Sequence, residues 1–272
     1  MLVSTGGRMR PVADEAVAWF GSLLVAVALT IIWVGRLGVS RDLYVSELGA
    51  DGEPTEAWFE AALLLLVAGG SAVAWTARRV RATVRLLALW TPSVSLWVGC
   101  GFFLIASQVN CTSGCPLPVG DTFTWRDFVH TVAAVLAFAA GCVAMLQVSF
   151  SVVRRPMVLF SRASGLAVAA IAGVGGLLSL AEWQTGFGSR LELAATTVGL
   201  IWMCAFGVGS ALSARRALSS PDLAALPGRP TSPRRAAAPS RAARSEGRAA
   251  SVPRPRSGAP DPAGPRRSSS AS

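Results

Sequence analysis

Phe128–Phe150 reads FVHTVAAVLAFAAGCVAMLQVSF, and this run decides the fold. It contains one histidine and no Asp, Glu or Arg. About 20 consecutive apolar residues cross the hydrocarbon core of a bilayer as a helix, whereas a soluble core helix is shorter and carries a charged face. A membrane-spanning helix is therefore expected here.

The same reading extends outward along the chain. Five further runs have this length and character: roughly 16–34, 57–77, 86–109, 157–180 and 193–212. The composition agrees, with 52% hydrophobic and 15% charged residues over 272 positions. Soluble domains carry about a quarter charged residues. The expected fold is all-α: a six-transmembrane-helix bundle over residues 15–212, after a short N-terminal segment, 1–14. The first run is too long for a secretory h-region and no clear cleavage site follows it, so it is read as a retained helix.

Arginine placement gives an orientation. Every basic residue is arginine. Nine lie in the N-terminal segment and in the second and fourth connections, against four in the first, third and fifth. Arginine collects on the cytoplasmic side. Both termini are thus expected in the cytoplasm of a bacterial inner (plasma) membrane, with the acidic odd-numbered connections outside.

Residues 213–272 differ in character. They hold 12 arginines against Asp222, Glu246 and Asp261, a net charge of +9, in a background of Pro, Ala and Ser. Such a segment buries too little apolar surface to offset chain entropy, so a disordered cytoplasmic tail is expected. Its charge suits anionic lipid headgroups at about 1 kcal/mol per arginine near the surface. It has no motif for specific nucleic-acid binding. Membrane lipids are the expected partners, and the sequence leaves a protein partner or homo-oligomer open.

The chemistry-bearing residues cluster around the start of the fourth run. Asn110-Cys111-Thr112-Ser113-Gly114-Cys115-Pro116 leads through Asp121 and Asp127 to His130, the chain's single histidine. In an oxidising compartment Cys111 and Cys115 are read as a disulfide, with Gly114 permitting the tight turn. A free pair and a metal pair are the alternatives, although two cysteines and one histidine form an incomplete zinc set. No metal or cofactor is expected. Asp127 and His130, three apart, share a helix face, so Asp127 would orient the imidazole as a general base, metal ligand or pH sensor. The alternative is that Asp127 caps the helix and His130 anchors at the interface. The six midplanes carry no Asp, Glu, Arg or His, which counts against an ion-coupled transporter. Pro92 is read as a kink in the third helix. The small-residue patterns around Gly69 and along Gly165, Ala169 and Gly173 are read as helix-packing surfaces within the bundle, with dimerisation as the alternative.

Three stretches carry a resemblance: Val45-Ser46-Glu47-Leu48-Gly49, then Pro116 followed by His130-Thr131-Val132-Ala133-Ala134, and Gly188-Ser189-Arg190 leading to Ile201-Trp202. With them the chain resembles an uncharacterised family of bacterial and archaeal six-helix membrane proteins, domain of unknown function 998. The resemblance implies the six-helix fold over about residues 15–212 and places recurring polar positions at Glu47, His130 and Arg190. It implies no activity. The expected site is an outward polar cluster of Glu47, Asp121, Asp127, His130 and Arg190 that binds a lipid headgroup, a small solute or a partner, without catalysis. A lipid hydrolase or transferase using His130 and Asp127 is one alternative, and a facilitator-type transporter is the other.

Overall fold

The computed structural model describes residues 6–116, 120–181 and 185–219. Trp183 and the segment 220–272, including nearly all of the basic tail, lie outside the described residues. Six long helices account for most of the rest: α1 (Gly6–Leu37), α2 (Glu56–Thr76), α3 (Pro92–Gln108), α4 (Trp125–Ser149), α5 (Arg155–Leu180) and α6 (Thr185–Ser219). Among the described residues the only pairing of β type is an isolated bridge between Ala82 and Ser151. Five of the helices are long and apolar enough to cross a membrane, and α3 is a shorter apolar helix. Helix α6 runs through Ser219 and so takes in the first seven residues of the expected disordered tail.

Each helix packs against its neighbours in the chain, and α6 closes against α1. The bundle is therefore a ring in sequence order. Two ends can be distinguished. The α1–α2 and α3–α4 connections and the first turns of α6 gather at one, termed here the loop end. The α2–α3 and α4–α5 connections meet at the other, where the Thr83 N–H and hydroxyl both donate to the Phe150 carbonyl at 2.7 Å.

The α1–α2 contact rests on a glycine pair. A Cβ on Gly69 would lie 2.7 Å from the Gly21 carbonyl, and one on Gly21 2.8 Å from the Gly69 carbonyl. Between apolar helices in lipid, such close backbone approach supplies the packing that hydrophobic burial cannot. The Gly69 stretch thus packs within the bundle. On α5, Gly165 and Gly175 face Met145 and Leu191, whereas Gly173 has open space around it.

Helix α3 starts later than its hydrophobicity suggests. Pro92 does not kink it but begins it, in the first turn, where a missing N–H costs nothing. Thr91 before it is extended (φ −82°, ψ 158°), as the proline ring demands, and accepts from the Val94 N–H as N-cap. Leu86 to Trp90 consequently form turns. Their carbonyls need donors, and buried Gln147 on α4 supplies them: its amide donates to the carbonyls of Leu87 (3.2 Å) and Trp90 (2.9 Å), while its oxygen accepts from Ser95 (2.8 Å). At 17 residues, α3 spans about 26 Å, a little under the ~30 Å hydrocarbon core.

Candidate functional site

The loop end is stitched together by its own polar side chains. Asp42 in the α1–α2 connection lies between Arg36 (2.9 Å) and Arg190 of α6 (3.3 Å). Arg41 pairs with Glu53, and Arg126 of α4 reaches Asp51 at 2.7 Å. The Asp51 N–H donates to the Cys111 carbonyl at 3.1 Å. Glu56, in the first turn of α2, accepts from the Gly52 N–H (3.0 Å) and the Asn110 amide (3.3 Å). Exposed pairs of this kind contribute about 0–1 kcal/mol each. Their common effect is to hold the α1–α2 and α3–α4 connections in register with the start of α6.

Within that frame the five polar residues singled out from the sequence take separate places. Arg190 is exposed and bound to Asp42. Asp121 is exposed in a short 3-10 turn. Glu47 accepts from the Tyr44 N–H at 2.7 Å, and burial raises its carboxyl pKa above the ordinary value. Asp127 is fully buried and bonded on every side: it accepts from the Thr112 N–H (2.8 Å), the Thr112 hydroxyl (2.9 Å) and the Thr124 hydroxyl (2.5 Å). Thr124 in turn caps α4 by accepting the Asp127 N–H at 3.0 Å. A carboxylate at a helix start also complements the helix dipole. Asp127 therefore ties the cysteine loop to α4, and no hydrogen bond joins it to His130.

His130 is buried about 8 Å along α4 from its start. Its Nδ1 lies 2.7 Å from the Val109 carbonyl and 3.1 Å from the Ala106 carbonyl. Both partners are acceptors, so Nδ1 carries the proton and donates. The ring thereby satisfies carbonyls left over at the C-terminal end of α3. Nε2 is then the nitrogen able to accept a hydrogen bond. Cys111 and Cys115 are joined as a disulfide. Their sulfurs and an imidazole nitrogen of His130 lie within 4.8 Å of one another. In the bonded form the two thiolates that a metal would need are consumed.

One residue weighed in the sequence only as an acid of the outer loop holds the centre of this end. Glu192 sits two turns into α6, about 10 Å from its start. Its carboxylate accepts from the Val45 N–H at 2.8 Å, with the Ser46 N–H and hydroxyl against the same group. The loop's short 3-10 turn, Ser46–Gly49, is thus plugged into α6, with Leu48 buried beneath it. Gly188, one turn earlier on α6, receives the Tyr44 phenol. A Cβ there would lie 2.6 Å from the hydroxyl, so only glycine fits. The Tyr44 hydroxyl is buried with no hydrogen-bond partner. No spacing rule links Val45 to a residue 147 positions away. The readable signal was a carboxylate directly before the apolar run 193–212, close enough to be drawn into the same helix.

Beneath Ser46, Glu192 and His130 lies a cavity of about 80 Å³ inside the ring, lined by residues of all six helices. Its walls are apolar, among them Phe59, Phe103, Phe138, Met145 and Trp202. Trp202 is fully buried, donates from Nε1 to Ser161 at 2.8 Å and stacks on Phe206 at 5.3 Å. Of the polar residues expected to form one cluster, His130 borders this cavity, while Glu47, Asp121, Asp127 and Arg190 do not.

Comparison with known proteins bears on this arrangement at the level of family. The model of a protein family of unknown function, DUF998, matches residues 17–209. The chain belongs to the DUF998 family. The match covers all six helices apart from the first turns of α1 and the last turns of α6. No curated protein and no solved structure gives a match. The stretches that carried the resemblance to DUF998 come together in space: Val45–Gly49 and Gly188–Arg190 meet at Glu192, and Trp202 lies in the cavity wall below.

Proposed function

We propose that this DUF998 protein is a multi-pass plasma-membrane binding protein, not an enzyme, that takes the alkyl chain of an amphipathic molecule into the ring, with its polar head at Ser46, Glu192 and His130. The observation that carries this reading is the cavity: apolar walls contributed by every helix, with those polar groups at one end. The positive-inside pattern supports an outer-face position for that end.

The chemistry of the rim selects the head group. Glu192 presents carboxylate oxygens, and His130, with Nδ1 donating to Val109, presents Nε2 as an acceptor. A rim of acceptors favours a donor, so the head is a protonated amine, and a carboxylate head is repelled. The volume selects the tail. About 80 Å³ is roughly half of the ~150 Å³ at which an apolar cavity accepts benzene, so an alkyl chain end fits and a ring does not. A lipid hydrolase would need Asp127 to orient His130, and the hydrogen bonds of Asp127 go to Thr112 and Thr124 instead.

Trp202 provides the assay. A brominated short-chain alkylamine, added to the full chain in lipid nanodiscs, is expected to quench tryptophan fluorescence with a saturable component that disappears in Trp202→Phe. The brominated alkanoate of equal length is expected to show only the unsaturable quenching of lipid-facing tryptophans. A saturable component absent for both probes, or equal for both, refutes the proposal.

A further inference from the structure

We infer that the Cys111–Cys115 disulfide is a thiol–disulfide exchange site in which His130 manages the proton and whose co-reactant is a dithiol. The inference does not depend on the cavity reading.

The two sulfurs are unequal in a way that gives them separate roles. Cys111 is fully buried, and Cys115 is half-exposed beside exposed Ser113 and Gly114. An incoming thiolate therefore reaches Cys115 Sγ, and the bond electrons leave on Cys111 Sγ. A thiolate formed in a buried position is unfavourable unless a proton or cation is at hand. The imidazole of His130 is the group within reach, with its nitrogen inside 4.8 Å of both sulfurs. The imidazole holds a proton on Nδ1 at the Val109 carbonyl and a lone pair on its other nitrogen, so the ring can take the proton from the attacking thiol and deliver one to Cys111. The Ser46 carbonyl, 3.9 Å from Cys111 Sγ, then accepts from the new S–H.

The exchange balances. The first thiol of the dithiol forms a mixed disulfide with Cys115 and releases Cys111 as a thiol. The second thiol attacks the mixed disulfide, closes the co-reactant's own disulfide and releases Cys115 as a thiol. Two electrons and two protons move from the dithiol to the cysteine pair, and the reverse reaction reoxidises it.

The loop is built to allow this motion at one end only. Asp127 holds Thr112 by two hydrogen bonds, and Asp51 holds the Cys111 carbonyl, so the buried cysteine stays in place. Gly114 (φ 79°) and Cys115 (φ 44°) are both in the left-handed region. An L-residue seldom stays there unless something holds it, and Cys115 is released when the disulfide opens.

The test uses the full chain in lipid nanodiscs, incubated with millimolar dithiothreitol, trapped with N-ethylmaleimide and read by peptide mass at 111 and 115. Reduction without denaturant is expected, with full reoxidation by the oxidised dithiol. His130→Asn keeps an N–H for the Val109 carbonyl but has no base, and should slow the exchange on the order of 10²-fold. A disulfide that resists dithiol until the bundle unfolds overturns the inference, and so does an unchanged rate in His130→Asn. If that variant fails to fold, the single-cysteine variants decide. The Cys115 thiol of Cys111→Ser should react with an aromatic disulfide faster than the Cys111 thiol of Cys115→Ser, and the opposite order overturns the assignment.

Discussion

Removing the Glu192 carboxylate should destabilise the loop end by an amount set by the groups it serves. The Val45 N–H is buried and donates to Glu192 at 2.8 Å, and the Ser46 N–H lies against the same carboxylate. In Glu192→Ala both lose their acceptor. A buried donor left unmade costs about 1–3 kcal/mol, so the pair amounts to about 2–6 kcal/mol. Glu192→Gln keeps one carbonyl oxygen at the same reach and should cost about 1–2 kcal/mol. In a chain of this size each kcal/mol moves the melting temperature by about 2–4 °C. The alanine variant should therefore melt roughly 4–24 °C below the wild type, with the glutamine variant between them. The assay is thermal unfolding in nanodiscs, followed by the monodisperse fraction on size exclusion, together with amide exchange over residues 44–49. That exchange should quicken in the alanine variant while the exchange within α2 and α4 is unchanged. If all three proteins melt together, or if exchange at 44–49 does not respond, the claim that Glu192 holds this loop is wrong.

Three further outcomes are expected. Thr124→Ala should cost about 0.5–2 kcal/mol as a lost N-cap, and Asp127→Ala more than that, because the Thr112 N–H also loses its acceptor; thermal melts of the two variants rank them. Burial raises the Glu47 pKa, so the folded state binds its proton more tightly than the unfolded chain, and stability is lost as pH rises through the window above the ordinary glutamate value. Glu47→Gln, melted beside the wild type at pH 4 and pH 7, should gain on it at the higher pH. Gly69→Ala drives a methyl toward the Gly21 carbonyl 2.7 Å away and should cost about 1–3 kcal/mol, whereas Gly173→Ala, with open space around it, should melt with the wild type.

The helices were legible because lipid imposes a one-dimensional rule: a long uncharged run has no other stable conformation there. Five of the six expected runs lie within helices whose bounds match to within a few residues, apart from extra turns at the start of α1 and at both ends of α6, where the chain from Thr185 to Glu192 is helix rather than loop. The exception, α3, shows where that rule stops. Hydropathy cannot see that Pro92 forces Thr91 into an extended conformation, or that Gln147 stands ready to serve the carbonyls this leaves behind. The site was less legible. Asp127 and His130 do share a stretch of α4, but helix periodicity is silent about which neighbour a side chain meets. Thr112 takes the carboxylate and the end of α3 takes the imidazole. Asp42, which joins Arg36 to Arg190, lies in a loop with no periodicity at all. The pairing of Glu192 with Val45 is a property of ring closure and appears only once α6 is placed beside α1.

Ring closure also has a consequence for biosynthesis. Helices leave the ribosome in order, and each of α2 to α5 finds its predecessor already inserted. Helix α1, however, keeps one flank bare until α6 arrives. Through that interval the Val45 N–H has no carboxylate, the cavity has no sixth wall, and the Ser22 hydroxyl lacks the Cys204 carbonyl to which it later donates at 3.3 Å. The last helix inserted thus completes the assembly. A nascent chain stalled before residue 185 is an open five-helix arc in which α1 and α5 each keep a flank that α6 covers in the finished molecule.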